Sequence, residues 1–139
     1  MDERKLVELA LEARKRAYTP YSTYQVGAAL LTKEGKIYQG CNIECAAYSV
    51  STCAERTALL RAISEGDTEF EAIAIVGGPE TEQEVLSEFA PPCGVCRQYL
   101  REFCDPESFC VILGKSIDEY QTYKLEDLLP LSFGPDHLK

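Results

Sequence analysis

Three cysteines constrain what this chain can fold into more than any other feature. Cys53 stands in Thr52-Cys53-Ala54-Glu55, and two more follow in Pro92-Cys93-Gly94-Val95-Cys96. Cys93 and Cys96 are three apart at the predicted start of a helix, so their side chains share one face. Cys53 takes the equivalent first-turn position of another helix. Using all three at one site requires a fold that brings two helix N-termini together. Each helix start carries partial positive charge, which favours thiolate over thiol. Three protein ligands leave a fourth position for water, the layout of a catalytic zinc rather than a structural one. Glu55, two residues from Cys53, is placed to move that water's protons.

The rest of the pattern alternates helix and strand. Leu6, Leu9, Ala10, Ala13 and Ala17 recur at helical spacing, predicting an amphipathic helix over 2–18. The residue before Pro20 is pushed out of helical geometry and ends it. Runs 25–32 and 36–43 flank Lys33-Glu34-Gly35 and read as a hairpin. A second helix is expected over 53–65 with Gly66 as its stop. Ala72–Val76 (AIAIV) reads as a buried strand, and 77–90, opening Gly-Gly-Pro, as an exposed acidic loop with at most one helical turn. A third helix over 93–103, strands over 109–113 and 119–123, and a last turn over 125–129 complete the list. Helices packed on a sheet follow, in the α/β class, and residues 1–139 read as one domain without an interdomain linker.

Seven cysteines are an odd number, and the segment opening Met1-Asp2-Glu3-Arg4-Lys5 is charged rather than a signal peptide. Metal ligands and buried thiols fit better than a disulfide framework, and a cytoplasmic location is the expectation. Cys41, Cys45, Cys104 and Cys110 read as small buried or half-buried hydrophobes. A net charge of −9 argues against a nucleic-acid partner. No apolar run is long enough to predict a membrane span.

Each candidate has a plain competitor. Thr52 and Glu55 also fit a capping box, which would make Glu55 structural. A lone CxxC leaves redox and structural readings open, and a non-catalytic zinc module would need a fourth protein ligand. His137, the only histidine, sits in the C-terminal tail and reads as a solvated residue. A redox role for Cys93 and Cys96 leaves Cys53 and Glu55 unexplained.

Cys53-Ala54-Glu55-Arg56 with Pro92-Cys93-Gly94-Val95-Cys96-Arg97-Gln98 resembles the zinc deaminases. Tyr21-Ser22 with Val26-Gly27-Ala28-Ala29-Leu30, Gly40-Cys41-Asn42-Ile43-Glu44 and Glu126-Asp127-Leu128-Leu129-Pro130 narrow the resemblance to the small cytidine deaminases of pyrimidine salvage, over nearly the whole chain. That resemblance implies a three-layer α/β/α fold, with a five-stranded mixed sheet and helices on both faces. It implies one zinc per subunit on Cys53, Cys93 and Cys96, with Glu55 as proton shuttle. Water would add at C4 of cytosine, Glu55 would protonate N3 and then the leaving amine, and ammonia would depart from cytidine or 2′-deoxycytidine.

By the same resemblance Asn42 and Glu44 match a ribose-binding pair, and Ala54 the backbone that holds the pyrimidine edge. Arg56 matches an arginine bonded to the thiolates. Tyr24 falls where a phenylalanine usually packs near the base. Tyr48 and Phe133 match positions that reach a neighbour's site in a homotetramer. Core packing or solvated surface is the plain alternative for these residues. Three departures stand out: Tyr24, Cys45 in place of an asparagine, and the long 77–90 segment. The first two put fine-tuning of the substrate in question, and the third the rim of the site or the subunit contacts. A modified cytosine nucleoside or cytosine-bearing antibiotic is the nearest alternative substrate.

Overall fold

The computed structural model describes residues 1–139. Helix α1 (Glu3–Arg14) opens on Asp2, whose carboxylate accepts from the Lys5 N–H at 3.0 Å and satisfies one orphan donor of the helix start. The helix ends four residues short of the expected boundary. Tyr18 leaves it to donate its N–H to the Asn42 carbonyl at 3.0 Å and to accept from Glu44 at 2.9 Å. Tertiary pairing outcompetes helical periodicity there.

β1 (Tyr24–Thr32) and β2 (Ile37–Cys41) form the expected antiparallel hairpin. Its turn requires Gly35, whose φ is 99°. α2 (Ala54–Ser64), β3 (Phe70–Pro79), α3 (Gly94–Phe103), β4 (Cys110–Ser116), β5 (Glu119–Lys124) and the short α4 (Leu125–Leu128) follow. The sheet order is β2-β1-β3-β4-β5, with β3 and β4 parallel and the other neighbours antiparallel. The expected five-stranded mixed sheet is borne out.

Strand alternation sorts the core into two layers. Ala29, Ala72, Ala74, Val76 and Ile112 face Leu6, Val7 and Ala10 of α1. Ala28, Leu30, Ile73, Ile75, Val111 and Leu113 face Ala58, Leu59 and Ala62 of α2 and Leu100 of α3. Gly40 lets α2 lie flush on the sheet: a Cβ there would stand 2.5 Å from the Ala54 carbonyl oxygen and from the Ala58 nitrogen.

One expectation is corrected. Gly77, Gly78 and Pro79 are not loop but the end of β3, paired with Val26, Gln25 and Tyr24. Ladder partners on β1 hold this stretch extended although its composition reads as a turn. Only from residue 80 does the chain leave the sheet, without a helical turn, and even there Leu86 and Ala90 are buried.

Candidate active site

Cys53 is the N-cap of α2 and Cys93 the N-cap of α3, with Cys96 in the first turn of α3. The three sulfurs lie within 4.8 Å of one another, Cys53 and Cys93 at 3.8 Å. Tetrahedral thiolates about 2.3 Å from a zinc ion stand roughly 3.8 Å apart, so the donor set fits that metal in both chemistry and spacing. Cys93 Sγ also accepts from the Cys96 N–H at 3.4 Å. The competing capping box is absent: Cys53 rather than Thr52 occupies the N-cap, no side chain caps the helix, and Glu55 falls at the second helical position.

Charge in this cluster is unevenly held. Hydrogen bonding from Cys96 pulls Cys53 down to about 5 against the cost of burial, with Arg56 and Cys93 assisting. Cys96 moves the other way, raised by its contact with Cys53, by burial and by Glu55. One thiolate therefore forms readily, and a third needs a dication among the sulfurs. Arg56 Nη2 donates to Cys53 Sγ at 3.4 Å and to the Ser51 carbonyl at 3.3 Å, while its buried Nε has no partner.

Glu55 is only 5% exposed. Burial pushes its carboxyl up to about 7, and the Cys53 thiolate adds to the rise. It borders a cavity of about 250 Å³ together with Cys53, Cys93, Ala54, Asn42 and Tyr24. The cavity therefore gathers metal-binding thiols, a carboxyl poised near neutrality and an aromatic wall.

Not every expected residue reaches it. Asn42 does, and its amide is also structural: Oδ1 accepts from the Val26 N–H and Nδ2 donates to the Tyr24 carbonyl, both at 2.9 Å. Glu44 lies outside the cavity lining; its carboxylate accepts from the Tyr21 and Ser22 N–H groups, each at 3.1 Å, and from the Ser22 hydroxyl. Tyr48 packs edge-on against Tyr21 and is 70% exposed. Phe133 stacks on His137 and is 57% exposed. Neither lines this chain's cavity.

Sequence reading missed Phe89, Ala90 and Pro91, which close the cavity ahead of Cys93. The apolar run Phe89–Pro92 at the end of an acidic stretch was the available signal. It also missed Arg97, which fixes the approach to Cys93 by donating to the carbonyls of Pro92 at 2.7 Å and Leu128 at 2.6 Å.

Residues 1–112 match the cytidine and deoxycytidylate deaminase zinc-binding region. A cytidine deaminase of Halalkalibacterium halodurans is 46% identical over 133 residues, covering 96% of this chain and 95% of that protein. One from Sporosarcina psychrophila is 44% identical over 138 residues, covering 99% and 96%. The crystal structure of a cytidine deaminase from Burkholderia pseudomallei superposes with a TM-score of 0.85 at 41% identity, over 96% of this chain and 100% of that one. With the thiol triad, the buried carboxyl and the sheet order all in place, this chain belongs to the cytidine and deoxycytidylate deaminase family of zinc enzymes.

Proposed function

We propose that this chain deaminates cytidine and 2′-deoxycytidine hydrolytically, releasing ammonia and leaving uridine or 2′-deoxyuridine. One observation carries the reading: a buried carboxyl, Glu55, held near neutrality beside a three-thiol metal site at a nucleoside-sized cavity. Cys53, Cys93 and Cys96 hold the metal, and zinc bound there supplies the Lewis acidity that makes water a nucleophile at neutral pH.

Glu55 performs the proton work. As carboxylate it takes a proton from the water adding at C4 and delivers it to N3; it then takes the second proton from the new C4 hydroxyl and passes it to the amine, which departs as ammonia while the C4 carbonyl forms. Burial raises this carboxyl towards working pH, where it can both accept and return a proton. The atoms balance as cytidine plus water giving uridine plus ammonia. Ala54, at the first helical position and fully buried on the cavity wall, offers its backbone to the pyrimidine edge. Tyr24 packs against the base, and Asn42 and Glu44, the latter also holding Tyr21 and Ser22, meet the ribose.

The active form is a homotetramer in which Tyr48 and Phe133 of one subunit complete a neighbour's site. Their exposure, outside the lining of their own cavity, supports this. Residues 1–139 act as one domain, and seven cysteines with no disulfide among them suit the reducing cytoplasm. Zinc-loaded parent and Glu55→Gln, each incubated with cytidine, test the reading: uridine should form with the parent and fall by at least ~10²–10⁴ in the variant at unchanged zinc content. A fully active Glu55→Gln defeats the assignment.

A further inference from the structure

Arg14 is a charged side chain only 1% exposed, placed on the α1 face of the sheet and opposite the cavity. It makes no ion pair. Nε donates to the Gln25 carbonyl at 2.9 Å, Nη2 to Gly78 at 2.9 Å and Pro79 at 2.7 Å, and Nη1 to Glu82 at 2.6 Å and Gln83 at 3.3 Å. One guanidinium thus ties the entry of β1, the exit of β3 and the first turn of the segment that leads to Cys93. Five charge-assisted bonds from a planar fork make a rigid clamp that no lysine reproduces.

The clamp grips the backbone of the cavity wall. Gln25 sits between Tyr24 and Val26, both lining the cavity. Gly78 follows Gly77, and a Cβ on Gly77 would stand 2.8 Å from Ala90, 3.2 Å from Val26 and 3.3 Å from Tyr24. The segment beyond is braced in turn. The Glu82 carboxylate accepts from the Ser87 N–H at 2.9 Å, and the Leu86 N–H donates to the Lys115 carbonyl at 2.8 Å. Lys115 Nζ lies 4.6 Å from the centre of the Phe89 ring, which closes the cavity.

We propose that Arg14 is a positioning residue for the substrate: from the opposite face of the sheet it fixes the wall of Tyr24, Val26, Phe89 and Ala90 against which the base is held. This rests on the nucleoside-deaminase reading above. A fold anchored only for stability has no need to concentrate five donors on the two strand ends and the turn that frame the cavity. Nothing in the clamp touches the thiols or Glu55, so its loss should loosen ground-state binding while the chemical machinery survives.

Arg14→Met keeps the alkyl stem and removes the donors. It should raise KM for cytidine about tenfold with kcat within about threefold of the parent and one zinc per chain retained, and Arg14→Lys should recover only part of the loss. A reporter independent of turnover is available because the chain has no tryptophan. In the Phe89→Trp background, Arg14→Met should increase acrylamide quenching of that single indole. Should Arg14→Met fail to fold, Glu82→Ala loosens the same segment from its exposed side and should raise both KM and quenching. A lowered melting temperature with unchanged KM and quenching, in whichever variant folds, overturns the proposal. A parent that binds zinc but does not deaminate cytidine overturns the functional reading instead, while the quenching comparison still decides whether Arg14 fixes the wall.

Discussion

The guanidinium of Arg56 donates to the Sγ of Cys53 at 3.4 Å from a nitrogen that also donates to the Ser51 carbonyl at 3.3 Å. Arg56 thereby links the N-cap thiol of α2 to the chain that precedes it. Three thiolates on a dication leave a net negative site, and this cation is the side chain that offsets it. Arg56→Gln should weaken zinc binding by about 10–100-fold, read by competition with a chromophoric chelator. Arg56→Lys should restore the charge but not the placement of the donating guanidinium nitrogen, and so only part of the affinity. Parental zinc affinity in Arg56→Gln would show the contact to be incidental.

The raised carboxyl of Glu55 has a thermodynamic signature in chelator-treated, metal-free protein. Burial first, then the Cys53 thiolate, moves it from an ordinary 4.5 to about 7. Between those values the folded chain keeps a proton that the unfolded chain has lost, so Glu55 costs stability as pH rises through that window. Cys53, held down to about 5 from 9.0, acts oppositely, gaining stability from about 5 towards 9. Comparison with Glu55→Gln isolates the carboxyl. The variant should gain on the parent from pH 4.5 to 7, by on the order of 3 kcal/mol at the top of the window. Parallel denaturation midpoints across that range would contradict the shift.

Much of this was legible in the sequence, and the failures share a cause. The thiol spacing, the Gly35 turn and the strand alternation are local signals, and each placed its element correctly. Gly77-Gly78-Pro79 carries the composition of a turn, and only its register against Tyr24–Val26 makes it strand. Nothing local singles out Arg14 within the first helix; only the five carbonyls from residues 25 and 78–83 that surround it do so. In each case the partner lies far along the chain, where neither periodicity nor propensity reaches.

Shared sites predict rescue between two damaged chains. On the proposed homotetramer each subunit lends Tyr48 to a neighbour, so Tyr48→Ala should lose activity there, while Glu55→Gln should lose it at its own site. Dissociated and reassembled together in equal amounts, they should recover activity at about a quarter of the sites, those pairing an intact Glu55 with an intact donated Tyr48. A mixture no more active than its separate components would place Tyr48 outside any partner's site.

Gly27 and Gly40 support the two faces of the sheet, and their substitution should separate stability from chemistry. A Cβ on Gly27 would stand 2.0 Å from the Ala10 carbonyl oxygen and 2.6 Å from the Arg14 nitrogen, so α1 must lift. A Cβ on Gly40 would stand 2.5 Å from the Ala54 oxygen and the Ala58 nitrogen, displacing the first turn of α2. Both contacts are backbone, which no rotamer change relieves, so each alanine should cost at least about 1–3 kcal/mol in denaturant unfolding. Only Gly40→Ala moves the element carrying Cys53 and Glu55. It should lose zinc affinity and turnover per folded molecule, whereas Gly27→Ala should keep one zinc per folded chain. Equal zinc affinity in the two variants would mean that α2 absorbs the shift without disturbing the thiol site.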